Sequence, residues 1–188
     1  MILKNSLIKE VKQVNYFDLN LLNKNELFLK NVGLNSIKEN KLKSFLKDLL
    51  NEVNTENFKY LSFDIKIKEV KKGQIPAIEG WHRDSTNWND SNNLDKYYLL
   101  TSNENCLTEF LNEEVLLKSE EMSINKQLQD FNNQINENKL STIKVKPWVL
   151  YEYDSNCFHR ATKALNDHLR LFVRINLSNH LKPSMRIL

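Results

Sequence analysis

Leu61-Ser62-Phe63-Asp64-Ile65-Lys66-Ile67-Lys68 is the stretch on which the fold turns. Apolar residues occupy every second position and polar residues stand between them, as a half-buried strand requires. Upstream the period is different. In Asn40 to Val53 the residues Leu42, Phe45, Leu46, Leu49, Leu50 and Val53 fall on one helical stripe, which should pack onto a sheet. The first fifty residues as a whole read as peripheral helix. Downstream, strands are expected at Ala77 to Asp84, Tyr97 to Thr101, Leu107 to Leu111, Thr142 to Lys146, Val149 to Tyr153, Cys157 to Ala161 and Leu169 to Leu177. Many short strands following helices predict an α+β, mainly β chain: a β-barrel or sandwich buttressed by N-terminal helices.

The 188 residues suit one domain with a real core. Residues 1–56 read as mainly helical support, 57–178 as the β core with an insertion at about 119–138, and 179–188 as a tail. That insertion, Ser119 to Asn138, is rich in Glu, Gln and Asn with sparse apolar positions, an amphipathic helix between strands. Lys and Arg number 27 against 24 Asp and Glu, for a net charge of +3. So small an imbalance argues against a nucleic-acid or membrane partner. No apolar run approaches the roughly 18 to 20 residues of a membrane span. With two cysteines, Cys106 and Cys157, and no secretory-type leader pattern, a reducing cytoplasm is the default expectation.

The chemistry concentrates in Trp81-His82-Arg83-Asp84 and, far downstream, Phe158-His159-Arg160. On a strand, His82 and Asp84 leave the same face and can meet one ion. A His-x-Asp pair with a distant His is the ligand set of the two-histidine, one-carboxylate triad, which leaves open positions on Fe(II). The blander reading is a surface pair plus a core histidine. His168 and His180, in a turn and in the tail, are not assigned as ligands. On the last strand Leu169, Leu171, Val173 and Ile175 form an apolar face, and Arg170, Phe172 and Arg174 form the other. An arginine aimed into a barrel must be paired or bind an anion, and its planar fork matches a carboxylate. Glu109 or Glu152 would be the plain structural partner.

Together these segments resemble the Fe(II)- and 2-oxoglutarate-dependent oxygenases over about Gly80 to Leu177. The likeness rests on Trp81-His82-Arg83-Asp84, on Tyr97-Tyr98-Leu99-Leu100 with Thr108-Glu109-Phe110, and most specifically on Lys146-Pro147-Trp148-Val149-Leu150 through His159-Arg160-Ala161-Thr162 to Arg170. It implies a double-stranded β-helix, a jelly-roll or cupin-like barrel with the N-terminal helices outside. It further implies Fe(II) on His82, Asp84 and His159, with 2-oxoglutarate and dioxygen as cosubstrates. Arg170, rather than Arg174, would hold the remote carboxylate, with a hydrogen bond from Tyr98 or Tyr97. The chain departs from the family pattern where Trp148 replaces a glycine, where no glycine precedes Arg170, and where Phe172 stands two residues after Arg170 in a place often held by Ser or Thr, and the prolyl-hydroxylase-like and phytanoyl-CoA-hydroxylase-like branches both remain open.

The resemblance implies oxidation of a C–H bond in an amino acid, a peptide side chain or a small metabolite. A cupin-like metalloenzyme without 2-oxoglutarate and a non-catalytic β-helix binding module are the alternatives. Trp88 in the loop after Asp84 is placed to stack on substrate or to tuck against the barrel. Ser119 to Asn138 is expected either to cover the pocket or to be a solvated connection.

Overall fold

The computed structural model describes residues 2–22, 26–84, 94–121, 123–180 and 186–187. Trp88 and its loop lie outside the described residues. In chain order the strands are β1 (Ile2–Lys4), β2 (Lys9–Gln13), β3 (Leu27–Val32), β4 (Tyr60–Val70), β5 (Lys96–Thr101) and β6 (Thr108–Leu111). They continue with β7 (Leu116–Lys118), β8 (Thr142–Lys144), β9 (Val149–Asp154), β10 (His159–Ala161), β11 (His168–Ser178) and β12 (Arg186–Ile187). The helices are α1 (Asn40–Leu50) and α2 (Ile124–Glu137).

The period-two stretch is β4, and it pairs antiparallel along its whole length with β11. From β11 the sheet runs through β5 and β9 to β2, while β3 and β12 share the opposite edge of β4, making seven strands. A second sheet, β10-β6-β8, and the pair β1-β7 are separate from it. The architecture is mainly β, with antiparallel sheets arranged as a β-sandwich, and no ladder joins the sheets among the described residues.

The alternation in β4 and β11 divides the large sheet into two faces. Leu61, Phe63, Ile65 and Ile67, with Leu171, Val173, Ile175 and Leu177, pack outward against Leu42, Phe45, Leu46 and Leu49 of α1, as the helical stripe predicted. The inner face sets Tyr97, Leu99, Tyr151 and Tyr153 against Phe110 of the small sheet. On the small sheet's far side, α2 buries Phe131 and Ile135 against Trp81, Leu111 and Phe158.

Three expectations need correction. Residues 1–56 are not mainly helical: they form β1, β2 and β3 besides α1 and two short 3-10 turns. β2 is an edge strand with exposed Lys9, Glu10, Lys12 and Gln13 around a half-buried Val11. A charged edge strand carries no alternating apolar signal, and its pairing with β9 defines it. Ala77 to Asp84 is not a strand, apart from one bridge between His82 and His159. The 179–188 tail contributes β12, paired to β4.

Trp148, standing where the family resemblance expects glycine, adopts φ 58°. That left-handed conformation costs a non-glycine residue roughly 1–2 kcal/mol. Its ring packs on Tyr16 at 4.9 Å and Phe45 at 6.4 Å, which offsets the strain. Among the described residues no helix is long and apolar enough to cross a membrane.

Candidate metal centre

The inner face of the large sheet presents Asp64, Lys66, Arg170, Phe172 and Arg174, because these residues alternate with the apolar row of β4 and β11 that faces α1. Opposite them stand His159 on β10 and the segment carrying His82 and Asp84. Together they line a cavity of about 270 Å³.

The two imidazoles are set by their own backbone. His82 Nδ1 lies 3.0 Å from the Gly80 carbonyl and His159 Nδ1 lies 3.1 Å from the Cys157 carbonyl. A carbonyl can only accept, so each Nδ1 carries a proton and Nε2 is the ring nitrogen left to face the cavity. The rings stand 4.5 Å apart between centroids. The segments are tied by paired backbone bonds of 2.9 Å from His82 N–H to the His159 carbonyl and from His159 N–H to the His82 carbonyl. Burial and the neighbouring His159 push His82 down to about 4, so it is neutral at physiological pH, the form that ligates.

Asp84 reaches the same point through one oxygen. Its Oδ2 accepts from the Tyr153 hydroxyl at 2.7 Å, lies 3.2 Å from His159 Nε2 and pairs with the Arg174 guanidinium. The Tyr97 hydroxyl donates to the Asp84 carbonyl at 2.6 Å. Burial opposes ionisation of Asp84, but Arg174 and His159 hold its carboxyl well below the usual carboxylate range. Arg174 also reaches Asp64, through Nη2 at 2.6 Å and Nε at 3.1 Å. Asp64 is fixed in turn by the Asn31 N–H at 2.7 Å.

His82, Asp84 and His159 are donors of the type a divalent iron takes, and one pair of them stands near ligand spacing. Two ligand atoms at adjacent positions on an ion, each bonded at about 2.1 Å, stand about 3 Å apart, close to the 3.2 Å between His159 Nε2 and Asp84 Oδ2. Among the described residues no three His, Cys, Asp or Glu side chains are drawn together to ligand spacing. At this site Arg174 engages Asp84, so any metal held there would have to share the carboxylate with that guanidinium.

Arg170 lines the same cavity and is 3% exposed. Its Nε donates to the Cys106 carbonyl at 3.1 Å, and its guanidinium lies 5.3 Å from the Phe172 ring centroid. The plain partners foreseen from sequence are engaged elsewhere, Glu109 with Arg160 and Glu152 with Lys96 and Tyr98. Among the described residues no carboxylate pairs with Arg170. Burial pushes it down to about 10, which leaves it cationic at neutral pH.

Tyr98 stands on the other face of β5, within the α1-side core. Its hydroxyl donates to Glu152 Oε2 at 2.6 Å and accepts from the Asn54 N–H at 3.2 Å. A one-residue step along a strand reverses the face, so Tyr97, not Tyr98, is the tyrosine beside Asp84. Sequence reading did not find Tyr153, Asp64 or the Arg174–Asp84 contact. Asp64 was already marked by its polar place in β4, and Tyr153 by its parity with Val149.

No protein-family model matches the chain. No curated protein matches it. Among solved structures, EvdO2 from Micromonospora carbonacea var. aurantiaca complexed with 2-oxoglutarate is similar to it at 16% identity and a TM-score of 0.40, over 66% of this chain and 56% of that one. A second EvdO2 structure is similar at 15% identity and a TM-score of 0.39 over the same shares. The chain thus spans little more than half the length of the EvdO2 chains, a likeness too distant to assign them a common activity.

Proposed function

We propose that this chain is an Fe(II)- and 2-oxoglutarate-dependent oxygenase acting on a C–H bond of an amino acid, a peptide side chain or a small metabolite. The observation that carries the reading is one cavity lined by His82, Asp84 and His159, with His159 against Asp84, that also holds a buried arginine to which no carboxylate among the described residues pairs. His82, Asp84 and His159 would hold the iron, which when bound supplies the activation of dioxygen.

The rest is work for the chain's own side chains. The Gly80 and Cys157 carbonyls keep both imidazoles in the ligating tautomer. Arg174 and Tyr153 keep the Asp84 carboxylate ionised and turned one way. Arg170 offers its fork to the remote carboxylate of 2-oxoglutarate, an interaction strengthened by burial. Leu99, Ala161 and Phe172 supply apolar wall around the polar centre.

The Arg174–Asp84 ion pair favours a second reading, a binding module in which the guanidinium satisfies the carboxylate without a metal. One experiment separates the two. Anaerobic addition of Fe(II) and 2-oxoglutarate should raise the weak visible absorption of the chelate, and admitting air should produce succinate. A protein that takes up neither Fe(II) nor 2-oxoglutarate is the binding module.

A further inference from the structure

Among the described residues the segment Gly80-Trp81-His82 has no strand partner on one edge, and α2 supplies bonds there through one side chain. The Asn132 carboxamide accepts from the Trp81 N–H at 2.7 Å and donates to the Trp81 carbonyl at 2.7 Å. Its Nδ2 also donates to the Leu128 carbonyl at 2.8 Å, which anchors it to its own helix. Trp81 is therefore bonded toward α2 on one edge, and His82 is bonded to His159 on the other. That alternation of bonding edges from residue to residue is the pattern of a central strand. Here a side chain stands in for the neighbouring strand.

The local backbone is shaped for this contact. Gly80 has φ +83°, and a Cβ there would come within 3.0 Å of Asn132 Oδ1. Glycine thus permits both the turn and the close approach. The Gly80 carbonyl in turn sets the His82 tautomer. Trp81, 2% exposed, adds a second attachment by packing in the cluster of Phe131, Ile135 and Phe158, with the Arg160 guanidinium 4.4 Å from its ring centroid.

From this arrangement we infer that Asn132 is a positioning residue: the inserted helix serves to clamp the His82-bearing segment so that the imidazole meets Asp84 and His159. The inference rests on the metal reading above. The carboxamide fixes the Trp81 peptide groups, which fixes where the His82 backbone starts and where its Nε2 arrives.

Co(II) titration monitored by visible absorption tests it, since the ligand-field bands report the donors directly. Asn132→Ala should weaken Co(II) binding at least tenfold and change the band pattern. Asn132→Asp, which can accept from the Trp81 N–H but cannot donate to its carbonyl, should behave likewise. Phe131→Leu loosens the same helix without touching the carboxamide, and it should keep the wild-type spectrum and affinity despite a lowered Tm. In the metal-free protein, amide exchange at Trp81 and His82 should accelerate in Asn132→Ala beyond its change in Phe131→Leu. Wild-type Co(II) affinity and spectrum in Asn132→Ala overturn the clamp alone, as do equal losses in Asn132→Ala and Phe131→Leu. A wild-type protein that binds no Co(II) overturns the metal reading and the clamp's purpose together.

Discussion

Arg170 and Arg174 lie four residues apart on one face of one strand, yet their surroundings give them opposite roles. Arg174 is compensated twice, by Asp64 and by Asp84. Removing one partner of a buried ion pair leaves an uncompensated charge and costs about 3–5 kcal/mol, so Arg174→Ala should lower stability by about that much in urea unfolding. Arg170 is a buried cation without a carboxylate beside it among the described residues, and Arg170→Met should leave the ligand-free protein as stable or more stable. The same change should weaken 2-oxoglutarate binding about tenfold to a hundredfold, since a charge-assisted bond contributes about 1.5–3 kcal/mol. Tyr98→Phe should leave that affinity unchanged, because its hydroxyl faces Glu152 and Asn54. Isothermal titration of the three variants checks the set, and a loss of affinity in Tyr98→Phe would remove Arg170's sole claim. His82, Asp84, His159 and Arg170 were singled out as candidates by type and spacing, and the structure gathers them around one cavity, whereas Tyr153 and Asn132 were not, because a hydrogen bond across 69 or 51 positions leaves no trace in a local pattern.

At the scale of elements, α2 decides between the cover and the connection that its composition left open. Its apolar stripe is spent on the outer wall, with Phe131 0% and Ile135 2% exposed, and the cavity is lined by strands and loops without a residue of α2. Its Ser123 hydroxyl caps the helix by accepting from the Lys126 N–H at 3.4 Å. A helix anchored in this way opens with its sheet rather than ahead of it. Hydrogen exchange in the amides of α2 should therefore be unchanged by 2-oxoglutarate. Protection that rises there on ligand addition would restore the role of a cover. The stripe of α2 was readable from the sequence, but which surface it meets was not, since an amphipathic helix fits a lid and an outer wall equally well.

At the scale of the whole molecule, β9 joins the large sheet through β5, and Glu152 is a pH-sensitive part of that joint. It accepts from the Tyr98 hydroxyl at 2.6 Å and pairs with Lys96 at 3.1 Å, both on β5. Burial would raise its carboxyl, but the bonds from Tyr98 and Lys96 prevail and lower it. A carboxyl lowered by folding contributes stability above its unfolded value of about 4.3, and that contribution is lost as pH falls through the folded value. Urea midpoints measured from pH 7 downward should thus fall less steeply below about pH 4.3 in Glu152→Gln than in the wild type; parallel curves would deny the joint its role. By itself the sequence determined which residues face which way: the alternation in Leu61 to Lys68 and Leu169 to Leu177 and the stripe of Asn40 to Val53 depend only on local period, and the structure keeps the alternation and keeps the stripe as a helix as far as Leu50. Only the tertiary structure decided that β2 and β3 are strands, which strands share a sheet, and that Arg174 rather than Arg170 holds Asp84. Those outcomes depend on partners far apart in the chain, and an edge strand or a buried ion pair exists only once its partner has arrived.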